Sequence, residues 1–177
     1  MFSLTFVFLM EALASQPFWV KSCEQMIQRV TVTHNDKYTE DLLFAIPMGI
    51  HLANVLMERE TYDVDNINTC ALALAVAKKE STYNPKARNG TCLGLYQITV
   101  ITAKDIIKDL SFFRERSVKD GLYDPLYATV VFVLLMDKFM ERHHTMSKAL
   151  YRYNNSVKHS KHVVDMFTEI RRIGYAN

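Results

Sequence analysis

Glycine, proline and unbalanced charge are all scarce in this sequence, and each scarcity excludes a class of protein. Only 5 Gly and 4 Pro occur in 177 residues, which excludes a collagen-like fibre and a Gly/Pro-rich disordered chain. The net charge of +2, from 21 Lys+Arg and 19 Asp+Glu, argues against nucleic-acid binding. A hydrophobic content of 49%, without internal repeats or an interdomain linker, instead indicates one compact, mainly α-helical domain over residues 17–177.

Cysteine is scarce as well, and the three cysteines do not form a recognisable metal site. Cys23, Cys70 and Cys92 show neither CxxC nor Cys/His ligand spacing. Cys70 lies in an apolar stretch and is interpreted as a small core residue. The spacing leaves open whether any two of the cysteines form a disulfide bond.

The histidines likewise show no ligand pattern. His143, His144, His159 and His162 occur as two close pairs, but no acidic or cysteine partner stands at ligand spacing on the same predicted helix face. They are therefore interpreted as solvated side chains. The sequence predicts no metal and no cofactor.

Residues 1–16 form a short apolar segment for which three interpretations are open. The apolar run Phe2–Met10 is interrupted by Glu11 and is too short to span a bilayer. Ala12–Ala14 resembles a small-residue cleavage site, but no cation precedes Lys21, so the positive region of a signal peptide is missing. We therefore expect a retained apolar helix that packs on the domain or on a partner protein, ahead of a signal peptide and a membrane anchor.

Apolar periodicity and capping residues predict a series of helices with one small hairpin. Pro47 followed by Gly49 is expected to break the second helix into two or to kink it sharply. Asp65 is expected to cap the third helix, and Asp124 the most hydrophobic one. The predicted helices are Phe18–Val30, Thr39–Glu60, a helix ending at Glu80, Thr99–Leu110, Leu126–Arg142, Thr145–Tyr153 and Ser160–Ile173, with a hairpin between Ala87 and Ile98.

The stretch Ala71–Asp105 carries the strongest candidate for chemistry. It begins as an apolar helix that ends in Glu80, since Val76 and Ala77 lie one turn earlier on the same face and Pro85 stops the helix. A carboxyl group at the rim of an apolar face is poorly solvated, so its pKa should rise toward the range that a general acid needs. Spacing alone, however, favours a solvated glutamate at a helix end.

Three short motifs follow one another over roughly half the chain, beginning at this glutamate. They are Glu80-Ser81 with Tyr83-Asn84-Pro85-Lys86-Ala87, then Gly94-Leu95-Tyr96-Gln97-Ile98 with Thr102-Ala103, and finally Tyr153-Asn154. Each motif alone is weak, but three in this order resemble the soluble lytic transglycosylases, relatives of goose-type lysozyme that cleave bacterial peptidoglycan. The resemblance implies a lysozyme-like, mainly α-helical fold and Glu80 as the catalytic acid.

The same resemblance implies substrate-binding roles for Ser81, Asn89, Tyr96, Gln97, Tyr153 and Asn154. Gln97 would hydrogen-bond an N-acetyl or hydroxyl group of the sugar, from a turn that Gly94 permits. Tyr153 would lie across the cleft from Glu80 and stack on or hydrogen-bond the sugar, with a buried core tyrosine as the alternative. Asn154 would support that loop.

The sequence departs from the family pattern in the loop before Gly94. Asn89 stands where the family usually has serine, although an amide still offers a donor and an acceptor. Thr91-Cys92 replaces a Gly-Ala pair, Tyr96 replaces a methionine, and the loop is one residue shorter than the common pattern. These departures concern the contacts to the substrate more than the chemistry.

The number of carboxylates separates the candidate reactions. A glycoside hydrolase ordinarily uses two of them, whereas Asp105 lies in the next helix and Asp63 and Asp65 lie a full helix away from Glu80. A lone glutamate suits a lytic transglycosylase, the activity that the resemblance implies. In that reaction, Glu80 would protonate the glycosidic oxygen of the MurNAc–GlcNAc β-1,4 bond. The muramoyl 6-hydroxyl would then attack the anomeric carbon and form a 1,6-anhydro end. The alternatives are a lysozyme-type hydrolase with an unrecognised aspartate and a catalytically degraded structural or assembly protein of a virion.

The expected partner is the glycan strand of peptidoglycan, in the virion or in the periplasm and cell wall of a bacterial host. The missing signal-peptide features favour a phage particle that perforates the wall during genome entry, and a bacterial secretion apparatus is the second setting. Residues 1–16 would then contact other proteins of the virion or apparatus. No nucleic-acid partner is expected, and membrane contact ranks behind contact with the glycan and with other proteins.

Overall fold

The computed structural model describes residues 18–31, 36–58, 63–110, 113 and 117–175, and within these ranges it has eight α-helices and a small three-stranded sheet. The apolar segment of residues 1–16 lies outside the described residues. In chain order the elements are α1 (Phe18–Thr31), a 3-10 turn (Asp36–Tyr38), α2 (Thr39–Leu56), α3 (Asp63–Ser81), β1 (Arg88–Asn89), β2 (Cys92–Leu93), β3 (Ile98–Thr99), α4 (Val100–Ile107), α5 (Val118–Gly121), α6 (Pro125–His143), α7 (Met146–Asn154) and α8 (Val157–Gly174). This is the mainly α-helical, lysozyme-like domain that the sequence predicts.

Helix α3 lies in the middle of the fold, where it packs against α1, α2, α6 and α8. Every side chain from Cys70 to Ala77 is buried, so the helix is enclosed on all sides here rather than along one stripe. Glu80 follows where the helix leaves this core. The helix begins at Asp63, so the prediction that Asp65 caps it is wrong.

None of the described helices is both long and apolar enough to cross a membrane.

Helix α6 begins where the sequence predicts. The Asp124 carboxylate accepts hydrogen bonds from the backbone N–H groups of Leu126 at 2.9 Å and Tyr127 at 3.2 Å. Pro125 occupies the first position, where its fixed φ suits a helix and its missing N–H costs no hydrogen bond. The following segment, 127–133, is buried throughout, which explains its apolar sequence.

The predicted break at Pro47 and Gly49 is wrong, because α2 is one continuous helix, Thr39–Leu56, with Pro47 in its interior, whereas the alternative of a sharp kink stays a prediction. An internal proline costs about 3 kcal/mol. Helix α2 packs closely along α6, where a Cβ added to Gly49 would lie 2.6 Å from the Thr129 Cβ. Burial of apolar side chains such as Ile46, each contributing about 1.5–3 kcal/mol, offsets the local cost.

The hairpin predicted between Ala87 and Ile98 is present as part of a three-stranded antiparallel sheet. Strand β1 pairs with β2 across Gly90, which has a φ of +59°, and β2 pairs with β3. Each strand has only two residues, which is too short to show alternation in the sequence. Strand β3 leads directly into α4, where the Thr99 hydroxyl accepts a hydrogen bond from the N–H of Thr102 at 3.2 Å.

A disulfide bond joins Cys23 of α1 to Cys70 of α3. Cys70 is the buried core residue that the sequence predicts, but it has a covalent role that spacing alone did not reveal. Both cysteines are fully buried, whereas Cys92 is a half-buried free thiol. The bond ties the first described helix to the one that carries Glu80.

Removal of this disulfide should lower stability, because the bond closes a loop with a sequence separation of 47 and restricts the unfolded chain. We expect the C23A/C70A double variant to lose about 2–4 kcal/mol of the free energy of unfolding, measured by urea denaturation. The control variant C92A, which removes a thiol but no bond, should lose less than about 1 kcal/mol. Equal losses in the two variants would contradict a stabilising role for the bond.

Candidate active site

The Glu80 carboxyl group lies at the end of α3, with only 12% of its side chain exposed. The Asn154 side-chain amide, at the end of α7, donates a hydrogen bond to Glu80 Oε1 at 3.0 Å. Burial raises the pKa of Glu80, while the hydrogen bond from Asn154 and the nearby Lys79 ammonium act in the opposite direction. The direction of the shift is the one that a general acid requires.

His159 lies against the same carboxyl oxygen, with Nε2 2.8 Å from Glu80 Oε1. Its side chain is only 9% exposed, so the interpretation of His159 as a solvated histidine is wrong. The ring N–H directions are not aligned with an acceptor, so neither nitrogen makes a hydrogen bond despite this close approach. Burial, followed by the charges of Lys79 and His162, lowers the pKa of His159.

The position of His159 follows from the start of α8, three residues earlier than predicted. The helix is Val157–Gly174 rather than Ser160–Ile173, and Ser156 caps it by accepting a hydrogen bond from the His159 N–H at 3.2 Å. His159 thereby joins the buried face that includes Val163 and Phe167. A serine three residues before the histidine was the signal in the sequence that could have indicated this placement.

The turn between β2 and β3 forms the next wall of the site, and glycine is required at its start. Gly94 has a φ of +74°, and a Cβ there would overlap the carbonyl oxygen of Leu122. The Gly94 carbonyl accepts a hydrogen bond from the Gln97 side-chain amide at 2.9 Å. The Ser81 hydroxyl donates to the Leu95 carbonyl at 2.8 Å, which ties the end of α3 to this turn.

Tyr96 lies in the core, so its predicted role in substrate binding is wrong. The side chain is fully buried, its ring stacks on Phe132 with centroids 4.3 Å apart, and its hydroxyl is 3.1 Å from the Thr129 hydroxyl. The Tyr96 carbonyl accepts a hydrogen bond from the Tyr153 hydroxyl. Helices α6 and α7 therefore both hold the turn in place. Burial, and secondarily the Glu80 charge, raises the pKa of Tyr153.

These elements enclose a cavity of about 700 Å³, a size typical of a ligand site. Five of the predicted site residues line it, namely Glu80, Asn89, Gln97, Tyr153 and Asn154. The other lining residues are Cys92, Ile98, Thr99, Ile101, Thr102, Asp105, Ile106, Leu135, Lys138, Phe139, Arg142 and Arg152. Ser81 and Tyr96 are absent from this lining, because Ser81 bonds to backbone and Tyr96 packs in the core.

Several charged residues of the cavity were not predicted as site residues. The cations Lys138, Arg142 and Arg152 line it together with the carboxylate of Asp105. Asp105 pairs with Lys138 at 2.9 Å and with Lys108 at 3.3 Å. The hydrogen bond from Lys138, and then that from Lys108, lowers the pKa of Asp105, so this carboxyl is held ionised. Within the described ranges, no cluster of three or more His, Cys, Asp or Glu side chains could hold a metal ion.

The comparison with known protein families gives a match, and it covers the elements that carry this site. The family model described as "Transglycosylase SLT domain" matches residues 60–166, which is more than half of the chain and includes Glu80, the β-sheet, Asn154 and His159. No curated protein and no solved structure gave a match. The family supports lytic transglycosylase activity on peptidoglycan, and this chain belongs to the transglycosylase SLT domain family.

Proposed function

We propose that this protein is a peptidoglycan lytic transglycosylase in which Glu80 is the single catalytic carboxyl group. The observation that carries the proposal is a glutamate with 12% of its side chain exposed at the wall of a cavity of about 700 Å³, within a matched SLT domain. A carboxyl in such a setting stays protonated at a higher pH than a solvated one. It can therefore donate a proton to a leaving glycosidic oxygen.

The proposed reaction has two proton transfers at one carboxyl group. Glu80 first protonates the glycosidic oxygen between N-acetylmuramic acid and N-acetylglucosamine, and the bond from that oxygen to the anomeric carbon breaks. The muramoyl 6-hydroxyl then attacks the anomeric carbon, while the Glu80 carboxylate accepts the hydroxyl proton. The product carries a 1,6-anhydro ring, no water is consumed, and the carboxyl group ends in its starting state.

The remaining lining residues have roles that follow from their contacts. Asn154 holds Glu80 by the hydrogen bond to Oε1 and so has a more direct role than supporting a loop. Gln97 and Asn89 place amide groups along the cavity, where they can bind sugar hydroxyl or N-acetyl groups. The Tyr153 hydroxyl donates its proton in a hydrogen bond to the Tyr96 carbonyl. Tyr153 can therefore contact the sugar through its ring or accept a hydrogen bond from it, but it has no free donor.

A lysozyme-type hydrolase is the second candidate, because Asp105 lines the same cavity as Glu80. A hydrolase needs a base that activates water or a nucleophile that attacks the sugar. Two lysines lower the pKa of Asp105, and a carboxylate of low pKa is a weak base. This pairing favours a structural role for Asp105 and therefore the transglycosylase reaction.

The products of wild-type digestion distinguish the two reactions. We expect mass spectrometry of digested peptidoglycan to show muropeptides with 1,6-anhydro ends, each lighter by one water molecule than the corresponding hydrolysis product. If Asp105 activated water, D105N would lower the rate by about 10²–10⁴-fold. We expect D105N to retain the wild-type products and to match D109N, its control at an exposed position outside the cavity. Reducing ends in the products would overturn the transglycosylase proposal.

The proposed setting is local perforation of the cell wall, by a phage particle or by a bacterial secretion apparatus. Two features support a site of action on the wall. Besides the Lys138–Asp105 pair, the cations Arg142 and Arg152 line the cavity and suit an anionic polymer. The Cys23–Cys70 disulfide is typical of proteins that work outside a reducing cytosol. Locating the protein in purified particles or in cell fractions with a specific antibody tests this setting. A strictly cytosolic location would contradict it.

A further inference from the structure

Two nitrogen atoms approach the same oxygen of Glu80. Asn154 Nδ2 is 3.0 Å from Oε1, and His159 Nε2 is 2.8 Å from that same atom. Both contacts are thus made to Oε1. Because Glu80 lines the cavity and both nitrogens lie at Oε1, we expect Oε2 to be the oxygen that meets the glycosidic bond.

The protonation state of His159 decides where the carboxyl proton of Glu80 resides. A neutral ring with its proton on Nε2 donates toward Oε1, so the carboxyl proton must lie on Oε2. A neutral ring with its proton on Nδ1 presents an acceptor at Nε2 and draws the carboxyl proton to Oε1, away from the substrate. A doubly protonated ring stabilises the Glu80 carboxylate and places a positive charge beside the reacting sugar.

We propose that His159 is a positioning residue that acts through Glu80: its neutral ring, protonated on Nε2, occupies Oε1 and keeps the catalytic proton on Oε2. The inference rests on the proposed function of Glu80, and it assigns a role to a residue outside the three motifs of the sequence. In the second step of the reaction, the N–H groups of Asn154 and His159 both stabilise the carboxylate before it accepts the proton of the 6-hydroxyl.

The burial of His159 supports this role. A side chain that is 9% exposed, with two ring nitrogens lacking a hydrogen bond, carries an energetic cost in the folded protein. The separation of 2.8 Å is already that of a hydrogen bond, and only the direction of the N–H is unfavourable. Catalytic hydrogen bonds often align only when substrate binds. We therefore expect the Nε2–H group to align with Oε1 when substrate binds.

Burial favours the neutral form of both side chains of the pair. His159 faces Glu80 and Lys79 from α3 and His162 from its own helix, and Tyr153 of α7 lies near Glu80. The pKa of His159 is lowered and that of Glu80 is raised. Both shifts favour the neutral forms that the proposal requires: at higher pH Glu80 loses its proton, and at lower pH His159 gains a charge that weakens the Glu80 carboxylate as a base.

Activity profiles against pH test the inference. In H159Q, an amide nitrogen takes the place of Nε2 and does not titrate, so we expect near wild-type maximal activity without the decline on the acid side. In H159A, which leaves Oε1 with one donor, we expect kcat to fall about 10- to 100-fold with little change in KM. The control H162Q, at an exposed position one turn along α8, should keep kcat and move the acid limb slightly toward higher pH, because a positive neighbour of His159 is removed.

A measurement without substrate separates this inference from the proposed function. Nuclear magnetic resonance of isotope-labelled histidine reports the tautomer and pKa of His159 in the wild type and in E80Q. We expect the Nε2–H tautomer in the wild type and in E80Q, because the amide oxygen introduced in E80Q can accept the same hydrogen bond as Oε1. An Nδ1–H tautomer in the wild type or an unchanged acid limb in H159Q would each overturn the inference. A wild-type protein that leaves peptidoglycan intact would overturn the proposed function, while the resonance experiment would still decide the inference.

Discussion

The Glu80→Gln variant is expected to cleave peptidoglycan about 10²–10⁴-fold more slowly than the wild-type protein. An amide has nearly the shape of a protonated carboxyl group, so the cavity and the binding of glycan strands should persist. It can neither donate a proton to the glycosidic oxygen nor accept one from the 6-hydroxyl, so both steps lose their catalyst. The initial rate of release of soluble muropeptides from purified sacculi measures the effect.

The same substitution should not destabilise the fold at neutral pH. The pKa of Glu80 is higher in the folded protein than in the unfolded chain, because burial penalises the charged form. The contribution of Glu80 to the free energy of unfolding is therefore fully present below the unfolded-state pKa, and it is lost as the pH rises through the folded-state pKa. A glutamine side chain does not titrate, so we expect E80Q to equal or exceed the wild type in melting temperature at neutral pH and to lose that advantage in acid.

A matched control separates loss of the acid from a general loss of negative charge. Glu169 is an exposed glutamate on α8 that does not line the cavity, and E169Q should keep the wild-type rate. If E80Q cleared cell walls as fast as the wild type, Glu80 would not be the acid and the enzymatic proposal would fail. A folded E80Q protein with such activity would favour the alternative of a binding or assembly protein that retains the fold.

Local sequence rules were sufficient wherever one short segment determines the structure. Asp124 caps α6 through contacts two and three residues away, and the sequence predicted this helix nearly to its ends. Glu80 was identified because a buried helix, a stop signal and the motif all lie close to it in the chain. Its raised pKa follows from its place at the edge of a buried helix, which apolar spacing indicates.

Contacts between distant segments were not predictable in the same way. Tyr96 belongs to the motif but points into the core, because Thr129 and Phe132 of α6 surround it. The helix interior tolerates Pro47 because tertiary packing outweighs its local cost. His159 stands 79 residues after Glu80 in the chain, and nothing in the spacing of either residue indicates that α8 brings the two together.

The Gly94→Ala variant is expected to lose about 2–5 kcal/mol of the free energy of unfolding, from two physical causes. A side chain at a φ of +74° costs about 1–2 kcal/mol. The added Cβ would also overlap the Leu122 carbonyl oxygen, and relieving such an overlap by backbone shifts costs about 1–3 kcal/mol more. Urea denaturation monitored by circular dichroism measures the loss.

The control is Gly90→Ala, because Gly90 also has a positive φ, +59°, but a Cβ there would meet nothing within 4 Å. It should lose only the conformational part, about 1–2 kcal/mol, and keep its activity. The difference between the two variants isolates the close approach of the β2–β3 turn to Leu122. Equal losses of unfolding free energy in G94A and G90A would show that the turn can move away from the Leu122 carbonyl at little energetic cost.

Activity should separate the two glycine variants further, because the turn that begins at Gly94 is bonded to the site on both sides. The Leu95 carbonyl accepts a hydrogen bond from the hydroxyl of Ser81, the residue after Glu80. The Tyr96 carbonyl accepts one from the hydroxyl of Tyr153, the residue before Asn154. A shift of this turn therefore moves both neighbours of the proposed catalytic carboxyl, and a displacement of about 1 Å can cost about 10²-fold in rate. A folded G94A protein with the wild-type rate would show that the turn does not position Glu80, even if it binds the sugar.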